Sequence, residues 1–266
     1  MAGVPRIILA LMVIKLVSAQ DFGTMVRKCR ENHAPRFNEC IVQAVRRLQP
    51  RLSREIPELN LQRVDPLRIN NFVLSSNTDL ASLQFHSNAV DIAGLSKFDL
   101  THFDIDFEGL KTHVEASVPS VIAKGDYNIS GRVFGLPIHG EGDFIGKIKG
   151  MLVDGHGVME ATPGGQLYVT GINFNFKFKD LKMDLKNLFN GNEILSRTVA
   201  EFMNSNSQLV LDELTPELTK TFSSYVKGLV NNLLSGLPQD LLTSLPNASS
   251  KDKHRQRTLQ RKTKAT

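Results

Sequence analysis

The feature that most constrains this chain is a long series of apolar residues at helical spacing towards its C-terminal end. Through Ile194, Leu195, Val199, Phe202, Met203, Leu209, Val210, Leu214, Leu218, Phe222, Tyr225, Val226, Leu229, Val230, Leu233 and Leu234 the steps are three and four with few exceptions, the period of an amphipathic helix. A straight helix from Glu193 to Gly236 would be about 66 Å long at the α-helical rise, whereas a compact globule of this chain length is roughly 45 Å across. Pro216 is expected to kink it, because its ring and missing N–H disrupt the bond to the Asp212 carbonyl, and Thr215 is placed to cap a second helix. The apolar stripe is wide and the chain before it is rich in strand patterns. The expected fold is therefore α+β, a long C-terminal helix held in a curved sheet.

The N-terminal 19 residues carry Arg6, an apolar run from Ile7 to Val17, and Ser18 and Ala19 before Gln20. This is the pattern of a secretory signal peptide, interrupted by Lys15 and too short for a membrane-spanning anchor. No later stretch is long and apolar enough to cross a bilayer, so the mature chain is expected to be secreted and extracellular. Of the formal net charge of +5, two units come from Arg6 and Lys15 and six from the tail between Lys251 and Thr266, which leaves the body at −3. A slightly acidic body is no phosphate-binding surface, and nucleic acid is not an expected partner. The chain divides into a signal peptide at 1–19, a folded domain at 20–246 and a basic tail at 247–266. The tail reads as a solvated, disordered end, with contact to anionic surfaces as the weaker alternative.

Cys29 and Cys40 are the only cysteines, and in an oxidising compartment they are expected to pair. On one continuous helix they would lie about 16 Å apart, beyond the ~7 Å limit for a bridge, so the chain must reverse between them, and Pro35 is placed to force that. The closed loop is worth on the order of 3 kcal/mol in the chain-entropy model. With no CxxC spacing, neither a zinc site nor a redox centre is indicated. From Asn38, a plausible N-cap, Ile41, Ala44, Val45, Leu48 and Leu52 form a helical stripe opposite Gln43, Arg46, Arg47 and Arg51, ending near Pro50. Its basic face reads as solvated, with a membrane-surface role as the alternative.

Asp65-Pro66-Leu67 has turn chemistry, with aspartate able to bond its own backbone. Strand alternation follows: Phe103, Ile105 and Phe107 on one face, His102, Asp104, Asp106 and Glu108 on the other. The paired carboxylates fall outward by period alone, so neither glycosidase nor metal chemistry is inferred from them. From Val114 to Phe178, glycines divide short apolar runs into what reads as an antiparallel meander. Ile172, Phe174, Phe176 and Phe178 are even-numbered, whereas Leu181, Met183 and Leu185 are odd, which calls for a bulge or turn near Lys179-Asp180. No GxSxG, HExxH, Walker or EF-hand motif is present. His33, His86, His102, His113, His139 and His156 are scattered singly and read as surface or core residues. No catalytic residue, metal or cofactor is expected. Sequons at Asn128 and Asn247 are candidate glycosylation sites.

Four motifs in order, namely Cys29 to Cys40 with Asn38-Glu39-Cys40, Asp65-Pro66-Leu67, Tyr127-Asn128-Ile129-Ser130-Gly131 leading to Leu136-Pro137-Ile138-His139-Gly140-Glu141-Gly142, and Asn187-Leu188-Phe189-Asn190-Gly191, make the stretch from about Cys29 to Leu237 resemble the takeout and haemolymph juvenile hormone binding protein family of insects. The resemblance implies a single elongated domain in which a strongly curved antiparallel sheet wraps the long helix around an apolar tunnel. It also implies secretion and carriage of juvenile hormone, another terpenoid or a fatty acyl lipid. The hormone carriers have a further cysteine pair absent here, so the chain is closer to the takeout branch. Strand parity and helix face nominate Phe103, Ile105, Phe107, Val133, Phe174, Phe176, Val199, Phe202 and Met203 as tunnel lining, each of which core packing would equally explain. No polar anchor is identifiable. The alternative is an extracellular interaction module that binds membranes or receptors through the basic tail or the Arg46-Arg47 face.

Overall fold

Two strands of unusual length organise the molecule. In a computed structural model that describes residues 22–29, 36–78, 81–106, 108–133, 135–163 and 166–237, β4 (Lys111–Val133) and β5 (Leu136–Ala161) form a hairpin paired over nearly their whole length. The glycines expected to punctuate a meander therefore lie mostly inside strands. Around the hairpin, β1 (Leu67–Asn77) pairs β2 (Ala81–Ala93), and β2 pairs the second half of β4, while β3 (Asp99–Asp106) pairs the first half. On the other side β6 (Leu167–Lys177) pairs the end of β5 and β7 (Asp180–Leu185) pairs its middle. The change of parity at Lys179-Asp180 is thus the turn between two strands. The seven strands form one antiparallel sheet.

Helix α1 (residues 22–29) and α2 (Arg36–Leu48) are joined by the Cys29–Cys40 disulfide, with Cα atoms 5.3 Å apart. Asn38 is not the N-cap of α2. It is the third residue of the helix, and its amide donates to Asp104 Oδ1 on β3 at 2.6 Å. Ala44 and Leu48 pack with Phe22, Ile56, Leu59 and Leu61 into a core that also receives Leu229, Leu233 and Leu237. This core holds the far end of the long helix.

The C-terminal stripe does break, but not at Pro216. Helix α3 (Glu193–Ser205) ends at Asn206, and α4 (Ser207–Gly236) then runs through Pro216 for 30 residues, about 45 Å. The break falls at Asn206, whose backbone (φ −114°, ψ 36°) leaves the helical region; its N–H still closes the last bond of α3 on the Phe202 carbonyl, and its side-chain amide donates to the same oxygen at 2.8 Å. Thr215 caps nothing; its hydroxyl donates back to the Leu211 carbonyl at 2.6 Å, within the turn that Pro216 leaves short of a donor.

Asp65 bonds not to its own turn but across to the loop after β2. Its carboxylate accepts from the Gly94 N–H at 3.0 Å, the Ser96 N–H at 2.9 Å and the Ser96 hydroxyl at 2.6 Å. Burial pushes this carboxyl up, but the bonds from Ser96 and Gly94 outweigh it and hold the group below its ordinary range. A carboxyl whose native pKa is depressed contributes stability above its unfolded value of 3.8 and loses it as pH falls through the lower native value. Asp65→Ala is expected to cost about 2 kcal/mol at neutral pH and progressively less below pH about 3.8. Urea unfolding at several pH values checks this; a pH-independent difference between wild type and variant would refute it.

Candidate ligand-binding site

Two apolar cavities, of about 230 and 130 Å³, lie between the sheet and α4. They share five wall residues, Phe72, Ile92, Val121, Ile148 and Leu218, and so are neighbouring chambers of one space. β1 and β2 supply Phe72, Leu74, Leu83 and Phe85; β4 and β5 supply Val121, Ala123, Phe144 and Ile148; α4 closes the space with Val210, Leu211, Leu214, Leu218 and Phe222.

Side chains reach this space because bulges correct the strand parity. Leu83 and Phe85 face in on odd positions, Val90 and Ile92 on even ones, and the register of β2 against β4 shifts between His86 and Val90. Asp126 pins that bulge. It accepts from the backbone N–H groups of Asn88 at 3.0 Å and Ala89 at 3.2 Å and from the Asn88 amide at 2.7 Å. The Asn88 N–H bond leads in holding this carboxyl below its usual range.

The polar side chains lining the two cavities, Glu213, Thr221 and Tyr225, all come from α4. Glu213 accepts hydrogen bonds from Ser76 at 3.0 Å and from Thr78. Burial pushes the Tyr225 phenol upward, so it stays a protonated donor at neutral pH. Thr221 and Tyr225 are one helical turn apart on the same face as Leu218 and Phe222. Thr221 and Tyr225 are thus the hydroxyl-bearing residues in the wall of the smaller cavity.

The structure distributes the nominated residues unevenly. Val133 and Met203 line the larger cavity and Phe176 the smaller. Phe174 stands behind that wall, its ring 5.7 Å from Phe176 and 5.3 Å from Phe222. Val199 is buried with Phe144 and Leu188 in the neighbouring core. Phe202, Phe103 and Ile105 are partly buried outside both linings, and Phe107 lies outside the described residues. The larger contribution, from β1, β2 and the middle of α4, went unnominated. The alternations Phe72/Leu74 and Leu83/Phe85 and the Leu214/Leu218 step were its sequence signals.

The basic face of α2 is largely occupied from within. Arg46 donates to Asp99 at 3.0 Å and to the Leu100 carbonyl at 3.4 Å, Arg51 pairs with Glu58, and Arg47 reaches the Met25 sulfur at 3.5 Å. The 247–266 tail, residues 1–19 expected as a signal peptide, and the Asn247 sequon lie outside the described residues. Asn128 is exposed on β4. No described helix is long and apolar enough to cross a membrane.

A curved antiparallel sheet closed by one long helix over an apolar space is the architecture of a binding protein for small hydrophobic molecules. Residues 7–244 match the haemolymph juvenile hormone binding protein (JHBP) family, and the chain belongs to that family of hydrophobic-ligand carriers. The crystal structure of Takeout 1 from Epiphyas postvittana superimposes with a TM-score of 0.67 and 25% identity, covering 76% of this chain and 93% of that one. The circadian clock-controlled protein daywake of Drosophila yakuba is 20% identical over 243 residues, 85% of this chain and 90% of its own length. Its Drosophila melanogaster counterpart is 19% identical over 240 residues.

Proposed function

We propose that the chain is a secreted carrier whose body, residues 20–246, sequesters one small, mostly apolar ligand, a terpenoid or fatty acyl molecule, in a tunnel formed by the joined chambers beneath α4. The observation that supports this most directly is the lining itself: an apolar sheet wall opposed by a helix that brings Thr221 and Tyr225. Withdrawing roughly ten ligand CH₂ groups from water is worth about 8 kcal/mol gross, and immobilising the ligand costs an estimated 4 kcal/mol or more. Burial alone thus gives modest affinity. A preformed space and a hydrogen bond from Tyr225 or Thr221 to a carbonyl, ester or ether oxygen provide the remainder and the selectivity.

Native mass spectrometry of protein purified from a eukaryotic secretory host, followed by lipid extraction, tests the reading. The expected result is a mass increment of one lipid per chain, removed by extraction and restored by an offered terpenoid or fatty acid. A chain that emerges empty and takes up neither class would overturn it.

A further inference from the structure

Histidines that are isolated in the sequence meet on the sheet face turned away from α4. His113 on β4 and His156 on β5 are register partners, and their imidazoles stack with centroids 4.5 Å apart and planes within 4°. Asp154 lies two residues before His156, on the same face of β5. Its Oδ1 is 2.9 Å from His113 Nε2 and 3.3 Å from His156 Nε2. Glu115 Oε1 approaches His113 Nε2 at 3.7 Å. A third imidazole, His102, is the β3 register partner of Glu115, and its ring is 5.1 Å from that of His113. The expectation that these histidines act singly is therefore corrected for three of them.

We propose that His113, His156 and Asp154 form a binding site for a divalent transition-metal cation, zinc by preference, with Glu115 or His102 available as a fourth ligand. The donor atoms of the three residues all lie within 4.8 Å of one another. In a tetrahedral zinc site with bonds of 2.0–2.1 Å, neighbouring donors sit about 3.3 Å apart; both imidazole–carboxylate separations are close to that, and because the two rings are stacked in parallel, at least one must turn about its Cβ–Cγ bond for both nitrogens to meet one ion. Two imidazoles and a carboxylate favour zinc over calcium or magnesium, which take oxygen ligands. The β4–β5 ladder runs unbroken past the residues that carry them, so the donors are mounted on rigid strands rather than loops. Glu115 and Asp154 also border an open groove of about 260 Å³ with Thr101, Ser117, Leu152, Asn175 and Lys177. An ion held there would be reachable from solvent. The site lies on the opposite face of the sheet from the apolar cavities, so it does not depend on the carrier reading.

The test uses the full secreted chain, stripped with a chelator and titrated with zinc by competition against a chromophoric chelator at pH 7.5. One zinc per chain is expected, with calcium and magnesium failing to compete. His113→Ala and His156→Gln should each weaken zinc by on the order of tenfold or more, while His86→Ala and His139→Ala leave it unchanged. Cobalt substitution should give the visible absorption of a four-coordinate nitrogen–oxygen site, lost in His156→Gln. Because His113 and His156 are at least partly exposed, both variants should unfold at the wild-type temperature without metal. Absence of stoichiometric zinc, or zinc binding that survives the His113→Ala/His156→Gln double change, would overturn the proposal.

Discussion

Leu218→Arg is expected to reduce uptake of an apolar fluorescent probe by 100-fold or more. Leu218 belongs to the walls of both chambers, so a larger group placed there intrudes on the space they share. A guanidinium in an apolar lining either stays solvated, blocking the space, or is desolvated at a cost of several kcal/mol; 100-fold corresponds to about 2.8 kcal/mol. Since arginine could also loosen α4, Leu218→Trp is the companion variant: it adds apolar volume without charge and should exclude ligand by filling the shared wall. Phe202→Arg, on α3 outside both linings, should change uptake little. Probe titration alongside thermal unfolding decides the matter. Undiminished uptake by a folded Leu218→Trp protein would remove the shared wall from the binding path.

The contrast between Leu218 and Phe202 shows what the sequence does and does not carry. Helical period placed both on an apolar stripe, and both were reasonable lining candidates by chemistry. Which arc of a wide stripe faces the sheet depends on where the helix breaks, and the break falls at Asn206, whose backbone leaves the helical region, rather than at Pro216, the stronger local breaker. The helix-in-sheet architecture and the Cys29–Cys40 pairing were legible because each follows from a local rule: period for one, compartment and count for the other. Strand length was not legible. Glycine signals turns by default, and only the close passage of other chain segments shows that Gly125 and Gly142 serve approach instead. The meeting of His102, His113 and His156 was equally hidden, because register between β3, β4 and β5 is a tertiary fact.

Gly142→Ala is expected to destabilise the fold by about 3 kcal/mol, and the reason joins two motifs distant in sequence. A Cβ at Gly142 would lie 2.4 Å from the carbonyl oxygen of Lys186, a backbone atom that cannot swing aside as a side chain can. That carbonyl also accepts the Tyr127 hydroxyl at 2.7 Å, and Tyr127 is 2% exposed. Burial pushes its phenol up to about 12, so it remains a donor throughout the ordinary pH range. Beside it, the Asn187 amide donates to the Glu141 carbonyl at 3.0 Å, Lys186 N–H donates to Asp143, and Leu188, also 2% exposed, bridges to Gly140. Gly140-Glu141-Gly142 is thus a bare strip of β5 on which the Asn187–Gly191 segment is seated, and this contact sets where α3 starts. Alanine at 142 forces the Lys186 peptide away, adding overpacking strain of about 2 kcal/mol to the loss of a buried hydrogen bond worth about 1 kcal/mol. Gly171→Ala meets nothing within 4 Å and should fall within about 0.5 kcal/mol of wild type. Tyr127→Phe alone should cost about 1 kcal/mol, and the double variant less than the sum, since both changes remove the same bond. Urea denaturation of the four proteins measures the cycle. Equal stability of the Gly142→Ala and Gly171→Ala proteins would show that the segment can move off β5 without cost.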